Sequence, residues 1–483
     1  MGCSEKIDMR EIVSGKVCYR SDPSKLKPPY ALVFFSRRHQ IKEDFITKIV
    51  AQAINEEGIR IDEMSFSTIG VYVPLSEAEK KEEIIKRTIS ENFAYSPVIF
   101  DQDSEIKDKF EISELPAILI TTKNGEIKKK ICGFEQIYNL SQKLISGFEI
   151  SEFRKELKIS YHKHEVNDER TEILFESYGR KLDPSKFYFE SPGKIAYTRA
   201  TRLLAIADRG RKQILVLSYG GYWEPFDIIG KEGGGDLDDS EYEIEFEKTS
   251  FVRPSGVCFT ESGRFLLIGD LFTSKIKIAD VLTRKILGFI RIPMPQHIAR
   301  ANGKFYVSSL TGKIFKLNSV EEKIRNLKYF DDITNMIEIN ELACRLKLPS
   351  AVIMTDDGRL VVVDSGDSSI NEIVSENRIV KITGGSKEGH VDGNFSVGQM
   401  CFPQSVESFR DVLFVADTLN NSIRILIDGR ISTIVLRNME LNEPEEIRLG
   451  AGILLVSDTA NRRVIEIEPV HMEGRNLRIS DNT

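Results

Sequence analysis

Short apolar runs punctuate the chain, and their rhythm changes near residue 185. Before that point, strand-like runs alternate with segments of helical period. Ala31–Phe35 is a continuous apolar run of strand length. It is followed by Ser36, a residue suited to cap a helix, and then by Ile41, Phe45, Ile46, Ile49, Val50 and Ala53 at helical spacing. Gly70–Val73 reads as a second strand closed by Pro74, and 76–93 as a charged amphipathic helix with Ile84, Ile85 and Ile89 inward. Ser96–Phe100 is extended and Ile106–Phe110 a short helix. Ala117–Thr121 and Ile127–Ile131, joined through Asn124-Gly125, form a hairpin, and 135–146 closes the region as a helix. The order predicts an α/β sandwich over 25–150, preceded by an N-terminal extension at 1–24.

Beyond residue 183 one phrase recurs. It runs from an apolar residue through x-x-Pro into a strand, a turn, a second apolar strand ending in Asp, a polar turn and a further strand. The prolines are Pro192, Pro254, Pro349, Pro403 and Pro444, and the aspartates that follow them are Asp208, Asp270, Asp364, Asp417 and Asp458. Successive aspartates are 62, 94, 53 and 41 residues apart, so the 94 spans two units. The missing unit starts at Pro295 and carries Ser309 in the aspartate position, which makes six. Units of about 40–50 residues with several short strands are the spacing of propeller blades. One such sheet cannot bury both faces, whereas radial stacking can. A carboxylate recurring once per unit predicts a structural part, bonding backbone N–H groups in the polar connection, with Asn420, Asn421 and Asn461 in the same turns.

The phrase resembles the NHL repeat. Two units also carry the long glycine-rich linker of that family, at 382–403 and 229–254. The resemblance implies an all-β six-bladed propeller over 183–480. The first region resembles the thioredoxin fold, in its peroxiredoxin and TlpA-like branch. Ala31–Phe35 stands before the first helix, Ser113-Glu-Leu-Pro116 matches the loop whose proline is cis, and Lys123-Asn-Gly125 matches the hairpin. Where that family carries C-x-x-C, this chain reads Ser36-Arg37-Arg38-His39. Thiol–disulfide exchange needs a thiolate, so dithiol chemistry is not expected here. Two readings of this tetrapeptide stay open: an anion site built from free N–H groups and two arginines, with Pro116 facing it, or a solvated first turn that has lost its cysteines.

Composition narrows the function. The net charge of −7 disfavours a general nucleic-acid binder, and apolar residues at 41% predict a sizeable core. Arg211, Lys212, Arg424, Arg462 and Arg463 lie near propeller turns, balanced by acids elsewhere. Six cysteines, at 3, 18, 132, 258, 344 and 401, form no C-x-x-C and no metal-like cluster. The start of the chain is polar, and no run of about 18 apolar residues occurs; a cytoplasmic location is the expectation. Residues 151–182 read as a connector. Its His162-Lys-His164 would put two imidazoles on one face of a strand, with no third ligand in view. Either this segment or Asn476–Ile479 supplies the strand that closes the ring. The function these features predict is a non-catalytic scaffold without a cofactor, presenting a propeller surface to a protein or peptide. The competing class is an enzyme: a thiol oxidoreductase using Cys132, or a metal-dependent hydrolase or lyase with His297 and His390 in the channel.

Overall fold

The computed structural model describes residues 7–39, 43–56, 66–93, 96–122, 124–147, 187–220, 223–234, 245–327, 330–342, 345–376, 378–385, 387–436, 439–468 and 473–476. The chain divides into two compact units, Met1–Lys158 and Ile159–Thr483. Cys3, Cys344 and the whole 151–182 connector, with His162 and His164, lie outside the described residues.

The first unit holds one six-stranded mixed sheet. Its strands are β1 (Val17–Tyr19), β2 (Tyr30–Phe35), β3 (Ser67–Tyr72), β4 (Val98–Phe100), β5 (Ala117–Thr121) and β6 (Ile127–Cys132), in the order β1-β4-β3-β2-β5-β6. Strand β2 runs parallel to β3 and antiparallel to β5, and β3 is parallel to β4. All six residues of β2 are buried, as a central strand covered on both faces requires. The helices are α1 (Met9–Ile12), α2 (Glu43–Glu56), α3 (Glu82–Asn92), α4 (Glu105–Lys109) and α5 (Gly133–Gly147). This is an α/β unit with the predicted elements, and three details differ.

Residues 7–24 are more than an extension. Met9 and Ile12 enter the core, and β1 covers the edge of β4, because this segment has apolar surface of its own to bury. Ser36 does not cap a helix: residues 37–39 form a turn, His39 N–H donating to Ser36 O at 3.0 Å, and the described part of α2 starts at Glu43. The predicted helix at 76–93 is broken, with a single 3-10 turn at Ala78–Lys80, Lys81 extended (φ −65°, ψ 132°) and α3 beginning at Glu82. The break lets the carboxylate of Glu79 point inward.

The second unit is a six-bladed β-propeller. The blades start at the inner strands Pro192–Thr198, Pro254–Phe259, Pro295–Ala301, Pro349–Met354, Pro403–Phe409 and Pro444–Gly450. Each blade is an antiparallel sheet of four strands in chain order. Blades 2 and 5 each gain a short outer pairing, from Asp331–Asp332 and Gly393–Asn394. Six apolar clusters fill the six seams between neighbouring blades. One of them joins Ile195, Leu204, Ile206, Leu215, Leu217 and Trp223 of blade 1 to Leu455 and Val464 of blade 6, so the ring is closed.

The repeat phrase maps onto one geometry. The first proline of each inner strand pairs across the sheet with the repeat aspartate: Pro192 with Asp208, Pro254 with Asp270, Pro349 with Asp364, Pro403 with Asp417 and Pro444 with Asp458. In blade 3, Pro295 pairs with Ser309. The outer strand of blade 6 is Glu473–Asn476, which overlaps the C-terminal candidate for ring closure only at Asn476; Leu477–Ile479 lie outside the described residues.

Candidate functional site

The 36–39 turn is a closed knot of internal pairs. Ser36, Arg37, Arg38 and His39 are all buried. Ser36 Oγ lies 2.7 Å from His39 Nδ1 and accepts from Arg38 N–H at 3.2 Å. Arg38 Nε donates to Glu79 Oε1 at 2.6 Å, and Arg37 Nη1 donates to Glu91 Oε2 at 2.5 Å. Glu79, with no exposed surface, also accepts from the N–H groups of Arg37 and Leu75. Burial, with the Arg38 charge beside it, pulls the His39 imidazole down to about 3, so it is neutral at physiological pH. Burial works against the charge of Glu91, but Arg37 and Arg87 outweigh it and hold this carboxyl below the usual range. Both arginines of the expected anion site therefore face carboxylates of the chain itself, and the turn is not solvated. The Leu115–Pro116 bond is cis.

The described thiols do not meet. Cys18 lies on β1 and Cys132 on β6, at opposite edges of the six-stranded sheet, and no disulfide joins any two of Cys18, Cys132, Cys258 and Cys401. Burial pushes the Cys258 thiol up to about 12. Among the described residues, no group of three or more His, Cys, Asp or Glu side chains is placed to hold a metal ion.

The repeat aspartates are buried braces. Asp208 accepts from the N–H groups of Glu190, Ser191 and Arg211 at 2.8, 2.9 and 3.1 Å. Asp270 accepts from Val252 and Arg253, and Asp364 from Lys347 and Leu348. Asp417 accepts from Cys401 N–H, Asn420 and Arg424, and Asp458 from Asn442 N–H, Asn461 and Arg463. Most of the backbone donors precede the proline of the same blade, and do not lie in the polar turn that follows the aspartate. Each carboxylate thus ties the entry of its inner strand to the end of the next strand. Arg211 and Arg424 are buried and Arg463 is bonded to Asp458, so these cations serve the fold.

The ring axis holds a cluster of which the sequence singled out only His297. Its Nε2 lies 2.9 Å from Arg448 Nη2 and 3.5 Å from Glu446 Oε1. Blades 3 and 6 are opposite one another in a six-membered ring, so this contact falls on the axis. Lys194 Nζ stands 3.0 Å from Glu446 Oε2 and donates to Gln404 O at 2.8 Å, and Arg448 Nη1 stands 3.3 Å from Glu407 Oε2. Burial pulls His297 down to about 4 and lowers Lys194, and it raises Glu407. Burial opposes the Glu446 charge too, but Lys194, His297 and Arg448 prevail and keep it ionised. His390 is exposed and bonds Thr433, sharing no partner with His297. A signal for the set was present in the sequence: Lys194, His297 and Glu446 each stand two residues after the blade proline.

No family model matches the sequence. The chain is similar to NHL repeat-containing protein 2 of Bos taurus, with 22% identity over 463 residues, covering 82% of this chain and 61% of the relative. It is also similar to NHL repeat-containing protein 2 of Gallus gallus, 36% identical over 80 residues that cover 16% of this chain and 11% of the relative. The chain thus spans less than two thirds of the relatives it matches. Among solved structures, a streptogramin B lyase aligns at a TM-score of 0.41 and 14% identity, covering 61% of this chain and 85% of its own. An auxiliary nutrient binding protein from Bacteroides thetaiotaomicron aligns at 0.42 and 13%, covering 75% and 83%.

Proposed function

We propose that this protein is a non-catalytic scaffold: an NHL-type propeller that presents a surface to protein or peptide partners, joined to a thioredoxin-like domain that is redox-silent. The observation that carries the reading is the 36–39 turn. Where a dithiol fold needs two sulfurs, a buried serine and a neutral histidine hydrogen-bond to each other at 2.7 Å. The arginines between them are committed to Glu79 and Glu91. The strand order supports a thioredoxin-like assignment for 25–150. On the propeller, the repeat aspartates and the axial cluster are paired internally, which leaves loops and blade edges as the recognition surface. The described cysteines form no disulfide with one another, which fits a cytoplasmic setting.

Two measurements on the purified full chain test this. Insulin reduction with dithiothreitol should run at the rate of the reductant alone, and a native-lysate capture should return a partner that then binds saturably when purified. Catalysed insulin reduction, or stoichiometric bound metal with hydrolytic turnover, would overturn the proposal.

A further inference from the structure

Five of the six seams of the propeller join blades that follow one another in the chain; the seam between blade 6 and blade 1 has no such covalent link. Its side chains are unusual in charge. Lys194 of blade 1 stands 3.0 Å from Glu446 of blade 6, and Arg209 Nη2 stands 2.5 Å from Glu445 Oε2. All four side chains are nearly or fully buried, at 5%, 0%, 11% and 5% exposure. The indole N–H of Trp223 donates to Glu466 Oε1 at 2.8 Å, again from blade 1 to blade 6. Arg448 Nε donates to Ile195 O, Ser457 Oγ to Gly193 O and Thr459 Oγ1 to Pro192 O. The threonine contact repeats an internal device, since Thr418 Oγ1 donates to Pro444 O between blades 5 and 6. Among the described ion pairs that cross from one blade to the next, Lys194–Glu446 and Arg209–Glu445 are the most deeply buried. Arg284–Asp227 and Arg300–Glu261, between blades 1 and 2 and blades 2 and 3, are partly exposed, and Arg448–Glu407, between blades 5 and 6, keeps 17% and 13%.

We propose that the blade 6–blade 1 seam is a polar clasp and the place where the ring opens first. A buried ion pair is sensitive to its geometry, because any water admitted removes the attraction while each charge regains its hydration. The internal seams, tethered by the chain, reclose at high effective concentration, whereas this one has only the clasp and its apolar cluster, with no direct strand-to-strand tether. Opening would expose Trp223 and the apolar surface formed with Leu455 and Val464.

Trp223 is the sole tryptophan, so its emission reports this seam alone. Cys258, packed at the seam of blades 2 and 3, is an internal comparison. The experiment follows acrylamide quenching of Trp223, iodoacetamide labelling of Cys258 by peptide mass spectrometry, and far-UV circular dichroism of the full chain in increasing urea. Trp223 should become quenchable at lower urea than either Cys258 labelling or loss of ellipticity. Glu445→Gln should move the Trp223 transition to lower urea and leave the Cys258 transition in place. Coincident transitions for all three probes in the wild type, or Cys258 opening first, would overturn the proposal without need of any variant.

Discussion

Ser309→Asp restores the repeat residue to blade 3, and consensus changes of this kind commonly stabilise repeat proteins by about 0.5–2 kcal/mol. Here the structure predicts the opposite. In the other five blades the carboxylate accepts from the N–H two residues before the blade proline, at Glu190, Val252, Lys347, Cys401 and Asn442. In blade 3 that place is Pro293, which has no N–H. Ser309 instead donates its hydroxyl to Pro293 O at 2.5 Å and accepts from Thr311 N–H at 3.1 Å, with no exposed surface. The next donor, Met294 N–H, is taken by Ser274 Oγ. A carboxylate would lose the donated bond, worth about 1 kcal/mol, and stand buried with too few donors, costing about 2 kcal/mol more. The sum of about 3 kcal/mol is roughly a hundredfold in the folding equilibrium. Such a carboxyl binds its proton more tightly in the native than in the unfolded state, so the deficit grows as pH rises above the unfolded value of about 3.9. Urea unfolding followed by circular dichroism at pH 5 and 7.5 measures both effects. Pro293→Val supplies the absent donor, and combined with Ser309→Asp it should recover at least half the loss. A neutral or stabilising Ser309→Asp, or additive effects in the double variant, would refute the account.

Other expectations are as direct. Because His297 is held near 4, its unfolded form takes up a proton below about 6.5 while the native form does not; stability should fall from pH 6.5 towards 4, and His297→Gln should flatten that slope in urea midpoints measured across pH. Glu79→Ala leaves the buried Arg38 guanidinium without its carboxylate and should destabilise the first unit by about 3–5 kcal/mol, seen as a lowered calorimetric transition. Ser36→Cys with His39→Cys should give a disulfide on mild oxidation, read by mass shift, since the native side chains already touch at 2.7 Å; a persistently free pair would count against the thioredoxin-like geometry.

The blades were legible because each is built from strands that follow one another, so the phrase from Pro403 to Asp417 carries its own pairing within one short stretch. Even the odd unit, with Ser309 for Asp, could be placed by spacing. The same local logic failed at 36–39: burial there depends on Glu79 and Glu91, 41 and 54 residues from their arginines, and no pattern around Ser36 announces them.

What the sequence determined by itself was the order of elements, the six repeats and the absence of any C-x-x-C, all properties of neighbours along the chain. Tertiary structure alone decided that Lys194, His297, Glu407, Glu446 and Arg448 share an axis, and that β1 covers the edge of β4. The physical reason is ring closure: the shared place two residues after the blade proline marks Lys194 and Glu446 in the sequence, but only the closed ring brings them to 3.0 Å across most of the propeller's length.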